Sequence, residues 1–287
     1  MKLEPLPIRT KIYAGETIDS FARRAAARNH TTVNAIETRL RHTGALTSRS
    51  RLHQARLEAW RQLGSIRTDA FSTPKVFDDH LIRERHLCLR CTCGESAVGR
   101  VPGIGMVCLR HFRWLGRSQM DIRDVRPAIA AEKRFRSRLA KRGVLFDSPA
   151  MVIGFEAAIV AFGANELERR RTISGISAVE VLAYREQVAV AQLLTSAHFL
   201  DNACSPLLDN QTRHRYVAKA FVQAIGSPDE YEVWRGIARV GSVVDALTSR
   251  LRESEFLTDQ PDDTEFKLLR HSTLLCRRRC RGPIPQV

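Results

Sequence analysis

Cys88-Leu-Arg-Cys91 is followed, after sixteen residues, by Cys108-Leu-Arg-His111. Two half-sites of the form CxxC and CxxH supply three thiolates and one imidazole, a complete tetrahedral shell for Zn²⁺. A gap of two residues lets both members of each pair turn towards one ion, and paired spacings of this kind are the pattern expected of zinc sites. The intervening loop holds Gly94, Gly99, Pro102, Gly103 and Gly105. A stretch so poor in core-forming side chains needs a staple, and a closed four-ligand shell leaves no position for a reactive water. The expected cofactor is therefore one structural Zn²⁺ on Cys88, Cys91, Cys108 and His111, contributing folding energy and no chemistry. Cys93 could replace Cys91 in a CxxxxC pairing, and His86 is a further neighbour.

The chain has 287 residues, a net charge of +15 and 44% apolar residues. That length suits one large domain or two ordinary ones. No run of eighteen apolar residues occurs, and the opening MKLEPLPIRTKIYAGE lacks an apolar signal core. The expectation is a cytoplasmic protein with no membrane partner, and seven cysteines in this pattern suit a reducing compartment. Residues 1–142 hold 29 Lys and Arg against 13 Asp and Glu, whereas residues 143–287 hold 17 against 18. The excess charge thus accompanies the Cys/His motif. A field of that sign attracts phosphate, and counterion release favours nucleic-acid binding. An acidic protein partner is the competing use of the same charge.

Outward from the motif the pattern is helical. Residues 3–15, with Pro5, Pro7 and Gly15, read as an extended arm lying over the domain. Thr17 is a suitable N-cap for a helix with Ile18, Phe21, Ala22, Ala25 and Ala26 inside and Arg23, Arg24 and Arg28 outside. Asn29-His30 stops it. Thr31 or Thr32 starts a second helix with Val33, Ile36 and Leu40 inside and Arg39 and Arg41 outside, ended by Gly44. Two short helices across a four-residue turn read as a plain hairpin or as a helix-turn-helix. Residues 51–63 predict a third helix carrying Leu52, Leu57, Trp60 and Leu63. Phe71, Val76 and Phe77 are packing points, and Phe112, Trp114 and Leu115 are placed to cover the metal.

Pro127–Arg142 predicts one helix closed by Gly143, with Lys133, Arg134, Arg136, Arg138, Lys141 and Arg142 outward. The candidate nucleic-acid contacts are accordingly Arg23, Arg24, Arg28, Arg39, Arg41, Lys133, Arg134, Arg138, Lys141 and Arg142. Helices are expected over 149–169, 176–199, 211–225, 229–240 and 242–256. The fold class is mainly α: a helical, basic domain over 1–143 with an embedded zinc knuckle, an all-α domain over 144–257, and a flexible tail over 258–287. The tail's Cys276 and Cys280 have no partners in sight.

The N-terminal half resembles the TniQ family of transposition proteins. The resemblance rests on Leu6-Pro7-Ile8-Arg9, on Gly15-Glu16-Thr17-Ile18-Asp19-Ser20-Phe21, on Arg24, Ala25 and Asn29, and on Val107-Cys108-Leu-Arg-His111-Phe-Arg-Trp-Leu115. It covers residues 5–116. Leu89 and Leu109 stand where that family often has proline, and a Trp common between its half-sites is missing. The resemblance implies a non-catalytic adaptor that engages target DNA, RNA or a guide-RNA complex on DNA. It also implies recruitment of an AAA+ ATPase that positions a transposase. Consistently, the sequence has no GxxxxGK[ST], no GxGxxG after a strand, no HExxH and no GxSxG. A stand-alone zinc-stabilised DNA-binding regulator is the alternative, a metal-dependent nuclease the third. Both a monomer and a homodimer remain open.

Overall fold

The computed structural model describes residues 3–47, 54–77, 82–116, 118–205, 207–227 and 233–257. The tail over 258–287, with Cys276 and Cys280, and the predicted core position Leu52 lie outside the described residues. The chain is mainly helical, and the strands among the described residues are each two residues long. Contacts divide it into two compact units, Met1–Pro102 with Leu115–Met120, and Gly103–Trp114 with Asp121–Val287.

The first unit is built on α1 (Ile18–Arg28), α2 (Val33–His42) and α3 (Gln54–Gly64). Thr17 and Thr32 cap the first two helices, accepting from the Ser20 and Ala35 amides. Such caps satisfy amide groups that have no partner within the helix. Ile18, Phe21, Ala22, Ala25, Leu40, Ala59, Trp60 and Leu63 form the core. The N-terminal arm lies on this core, as its composition suggests. Leu6 N–H donates to Leu63 C=O at 2.8 Å, and the Asn29 amide both accepts from Ile8 N–H and donates to Ile8 C=O. Phe71 meets Phe21 with ring centroids 5.8 Å apart and Phe77 is buried, but Val76 is exposed.

Arg56 departs from the expected pattern. It sits on the buried stripe of α3, where it donates to Glu37 of α2 at 2.7 Å and to Asp19 of α1 at 2.9 Å. Trp60 Nε1 donates to the same Glu37 oxygen at 3.0 Å. One buried ionic knot thus ties three helices, and periodicity of apolar residues carries no sign of it. The unit is completed by β1 (Arg85–His86), antiparallel to β2 (Val98–Gly99), with Glu16 bridging to Gly99.

In the second unit, β3 (Val107–Cys108) and β4 (Arg113–Trp114) form an antiparallel hairpin that contains the CxxH pair. After β5 (Met120–Asp121) the chain enters α4 (Arg126–Arg134), a π turn over Phe135–Leu139 and a 3-10 turn over Ala140–Arg142. The single regular helix expected here is therefore replaced by three segments of different pitch, ended as expected by Gly143 at φ 81°. The predicted domain boundary at Gly143 is not where contacts divide. Ala128, Ala131, Glu132, Phe135 and Leu139 are buried, and α4 packs on α7 (Tyr184–Leu194) within the second unit.

α5 (Pro149–Ser174) runs past its predicted end and is interrupted at Gly163, whose φ of 62° no helix contains. The predicted helix over 176–199 is divided into α6 (Val179–Leu182), α7 and α8 (Ala197–Ala203), the last capped by Ser196. α9 (Asn210–Ile225) is capped by Asp209 and Gly226. α10 (Trp234–Leu257) runs through Gly241, joining two predicted helices, because Gly241 stays helical instead of taking a left-handed turn. α5 packs on α7 and α10. By length and composition α5 could cross a membrane, with a mean hydropathy of 1.5 over an 18-residue window. Core helices share that property, and Gly163 breaks this one midway.

Glu166 on α5 accepts from Arg169 at 2.6 Å and from Arg170 at 2.8 Å. The hydrogen bond from Arg169 leads the causes that hold its carboxyl down to about 2 from an ordinary 4.5, with Arg170 adding to it. A lowered folded-state pKa stabilises above the unfolded value and is lost as pH falls through the folded one. Glu166→Gln is expected to cost about 1–2 kcal/mol at pH 7, after allowance for solvent screening. Urea midpoints of the two proteins should converge as pH falls from about 4.5 towards 2.

Candidate metal centre

The CxxC pair sits in a tight turn that follows β1. Cys88 C=O accepts from Thr92 N–H at 3.1 Å and Leu89 C=O from Gly94 N–H at 2.7 Å. Cys93 and Gly94 both take positive φ, 54° and 88°, which swings the chain away after Cys91. Cys93 is exposed, as Cys91 is, but only Cys91 brings its sulfur into the group formed with Cys88, Cys108 and His111. Buried Thr92 donates to Glu95 C=O, and Tyr13 O–H donates to Thr92 C=O at 2.9 Å. Gln119 brackets Cys88: its amide oxygen accepts from Leu89 N–H at 2.9 Å and its NH₂ donates to Leu87 C=O at 2.7 Å. Nothing in the sequence marks Gln119, because a lone glutamine thirty residues away has no periodicity to betray it.

The CxxH pair repeats the device in the β3–β4 hairpin. His111 N–H donates to Cys108 C=O at 3.3 Å, and Phe112 follows at φ 51°. Cys108 Sγ and His111 Nδ1 are 3.7 Å apart. A tetrahedron with bonds of about 2.3 Å to sulfur and about 2.05 Å to nitrogen has an S···N edge of about 3.6 Å. The pair therefore already has the spacing of two ligands on one ion.

Cys88, Cys91, Cys108 and His111 form a group whose ligand atoms all lie within 4.8 Å of one another. Three soft sulfurs and an imidazole nitrogen at that separation fit a metal ion and are compatible with zinc. These are the four residues that the spacing selected. His86, the other neighbour, is exposed in β1 and outside the group.

Behind the hairpin stands a residue that the sequence reading passed over. Glu132 of α4 is fully buried. One of its oxygens accepts from Gly105 N–H at 2.9 Å and Arg136 Nε at 2.6 Å; the other accepts from Val107 N–H at 3.2 Å and Tyr184 O–H at 2.7 Å. Arg136 also donates to Val107 C=O at 2.6 Å. The carboxylate thus holds the backbone that leads directly into Cys108. Gly105 is required there, because a Cβ would collide with Tyr184 and Glu132. Burial, and then the Glu132 charge, push the Tyr184 hydroxyl well above its ordinary range, so it remains a donor. Trp114 meets Tyr184 edge-on, with centroids 5.2 Å apart. An acid on the buried stripe 128, 131, 135 of an otherwise basic helix was the available signal.

Several expected nucleic-acid contacts are placed differently. Arg24 does not face out: it donates to Glu16 and Glu95 and to Lys11 C=O, and stacks 4.4 Å from the Tyr13 ring centroid. Arg28 is exposed as expected and also pairs with Glu95, whereas Arg41 is part-buried beside Glu37 at 3.6 Å. Arg142 donates to Thr195 C=O and Oγ1, since the π turn rotates it out of the register of Arg134 and Arg138. Arg23, Arg39, Lys133, Arg134, Arg138 and Lys141 are exposed as expected, and Arg142 is exposed as well despite its bonds to Thr195. Comparison with protein-family models, with curated proteins and with solved structures gives no match.

Purified chain is expected to carry about one metal ion per molecule by elemental analysis, and Cys108→Ser to lose most of it. Glu132→Gln puts an NH₂ against donors on one side of the carboxylate. The expected loss is about 3–5 kcal/mol in urea unfolding, against about 1 kcal/mol for Tyr184→Phe, which removes one hydrogen bond.

Proposed function

We propose that this chain is a zinc-stapled, non-catalytic adaptor in DNA transposition. In this reading it binds target DNA, or a guide complex on DNA, and recruits an AAA+ ATPase. The observation that carries the reading is one conjunction: a TniQ-like opening, Leu6-Pro7-Ile8-Arg9 and Gly15-Glu16-Thr17, joined to a Cys₃His donor set in a strongly basic chain. Cys88, Cys91, Cys108 and His111 would hold the zinc. With four protein ligands it has no vacant position, so its contribution is folding energy. The Glu16 and Arg24 of the TniQ-like segment support this as structural residues: Glu16 accepts from Tyr13 N–H, Ser20 and Arg24 and so fixes the turn into α1.

The cations offered to phosphate are Arg23, Arg39, Lys133, Arg134, Arg138 and Lys141. Contacts of this kind position a duplex without reading its bases. The absence of a phosphate-cradling loop from the sequence supports an energy source on another chain. A stand-alone DNA-binding regulator is the second reading, favoured by the α1–α2 pair and its four-residue turn, Asn29–Thr32.

Duplex binding by the full chain should be salt-dependent, weakening by roughly 10³–10⁵ between ~50 and ~200 mM salt for six to ten phosphate contacts. Charge reversal at Arg134 and Arg138 should weaken all sequences alike. Arg24→Ala should instead lower stability. The adaptor reading further requires that the protein alters the ATPase rate or DNA loading of an AAA+ partner recovered with it from the native host. Salt-independent or undetectable duplex binding would contradict the DNA role. Binding without any ATPase partner would favour the regulator.

A further inference from the structure

A groove of about 540 Å³ opens in the second unit between α7, α8 and α9, with Arg134 of α4 on its wall. That volume lies within the range of small-molecule sites, roughly 300–1,000 Å³. Beside aliphatic residues, Ser196 and His198, its lining brings three kinds of group together. Phe199 and Tyr216 form an aromatic wall, stacked at 17° with centroids 5.9 Å apart. Gln192 and Gln223 offer amides, each able to donate and accept. Arg134 and Lys219 bring positive charge, and neither makes an ion pair among the described residues. None of the described residues lining the groove is acidic.

We infer that this groove binds a nucleotide, with the base against the Phe199–Tyr216 wall and the phosphate on Arg134 and Lys219. The aromatic wall suits a planar ring, and base–aromatic contacts are a general means of holding bases without reading sequence. The amides match the donor–acceptor edges of a base. The unpaired cations select a phosphate, and the lack of carboxylates disfavours an amine ligand. Part of the groove is fixed by structure that the ligand need not supply. Phe199 is buried, Ser196 caps α8, and Arg142 ties the basic segment to Thr195 beside the groove. The exposed Arg138 and Lys141 continue the positive charge along the segment that carries Arg134. A nucleotide has two sources here, a free mononucleotide or one unit of a single strand. The inference does not rest on the adaptor reading, because duplex binding is measured separately.

The test is a titration of the full metal-loaded chain with AMP, with a 5′-phosphorylated thymidine decamer, with inorganic phosphate and with a duplex of matched length. AMP, the decamer or both should bind more tightly than phosphate. Lys219→Glu should weaken that binding at least about tenfold. Tyr216→Ala should weaken it by about 5–100-fold, the range for loss of one stacked base. Both should leave metal content unchanged. Saturable AMP binding marks a free-nucleotide site, and binding of the decamer alone marks a strand. Phosphate binding as tight as that of the better nucleotide probe, binding unchanged in Lys219→Glu, or no binding of either nucleotide probe would overturn the inference. Because Lys219 is exposed, its variant remains decisive even where Tyr216→Ala fails to fold. Duplex binding that survives while the nucleotide probes fail refutes the groove and spares the adaptor reading; the reverse result refutes the adaptor and spares the groove.

Discussion

Three thiol sulfurs and an imidazole nitrogen within 4.8 Å of one another set the strongest local constraint in this chain. As thiolates they would repel one another steeply at that separation, and a bound cation turns the same arrangement into a net attraction. The backbone around them cannot impose the arrangement by pairing alone, since the neighbouring strands are two residues long. It relies instead on residues of positive φ after each ligand pair, Cys93, Gly94 and Phe112, and on side chains that clamp the flanking peptides. Gln119 does this around Cys88, and Glu132 ahead of Cys108. Supporting groups of this kind orient metal ligands and tune their affinity.

The same economy recurs away from the metal centre. Buried carboxylates organise both units, and each is held by arginine. Glu16 takes Arg24, Glu37 takes Arg56, Glu132 takes Arg136, and Glu186 takes Arg170. A buried charge is tolerable only when paired and hydrogen-bonded, and breaking such a pair costs more than the pair contributes. One consequence bears on function. The count of 46 Lys and Arg overstates the cations available to a partner, because several arginines are paired with buried carboxylates. Of the candidate contacts, Lys133, Arg134, Arg138, Lys141 and Arg142 remain exposed on one segment, with Arg23, Arg28 and Arg39 exposed on the helical hairpin.

What the sequence made legible was whatever depends on local pattern. The four metal-site residues follow from spacing. Thr17, Thr32, Gly143 and the Asn29-His30 stop follow from cap chemistry, and the arm over α1 and α3 from its prolines and alternating apolar residues. What remained hidden depends on long-range partners. Arg24 and Arg56 lie on helices that read as ordinary amphipathic elements, and only the facing Glu16 and Glu37 turn them inward. Arg134, Arg138 and Arg142 are four apart, so a regular helix would align them. The π turn over Phe135–Leu139 breaks that register, and Thr195 captures the last. Gly163 and Gly241 show the same limit: one breaks a helix and the other is absorbed by one, and neither outcome is written in the glycine itself.

The central claim is that Cys88, Cys91, Cys108 and His111 together form one closed metal shell. X-ray absorption at the metal edge of the purified chain tests it most directly. The account predicts zinc with three sulfur neighbours at about 2.3 Å and one nitrogen at about 2.0 Å, with no fifth ligand. A shell of oxygen and nitrogen alone, or one with two sulfurs and coordinated water, would contradict it.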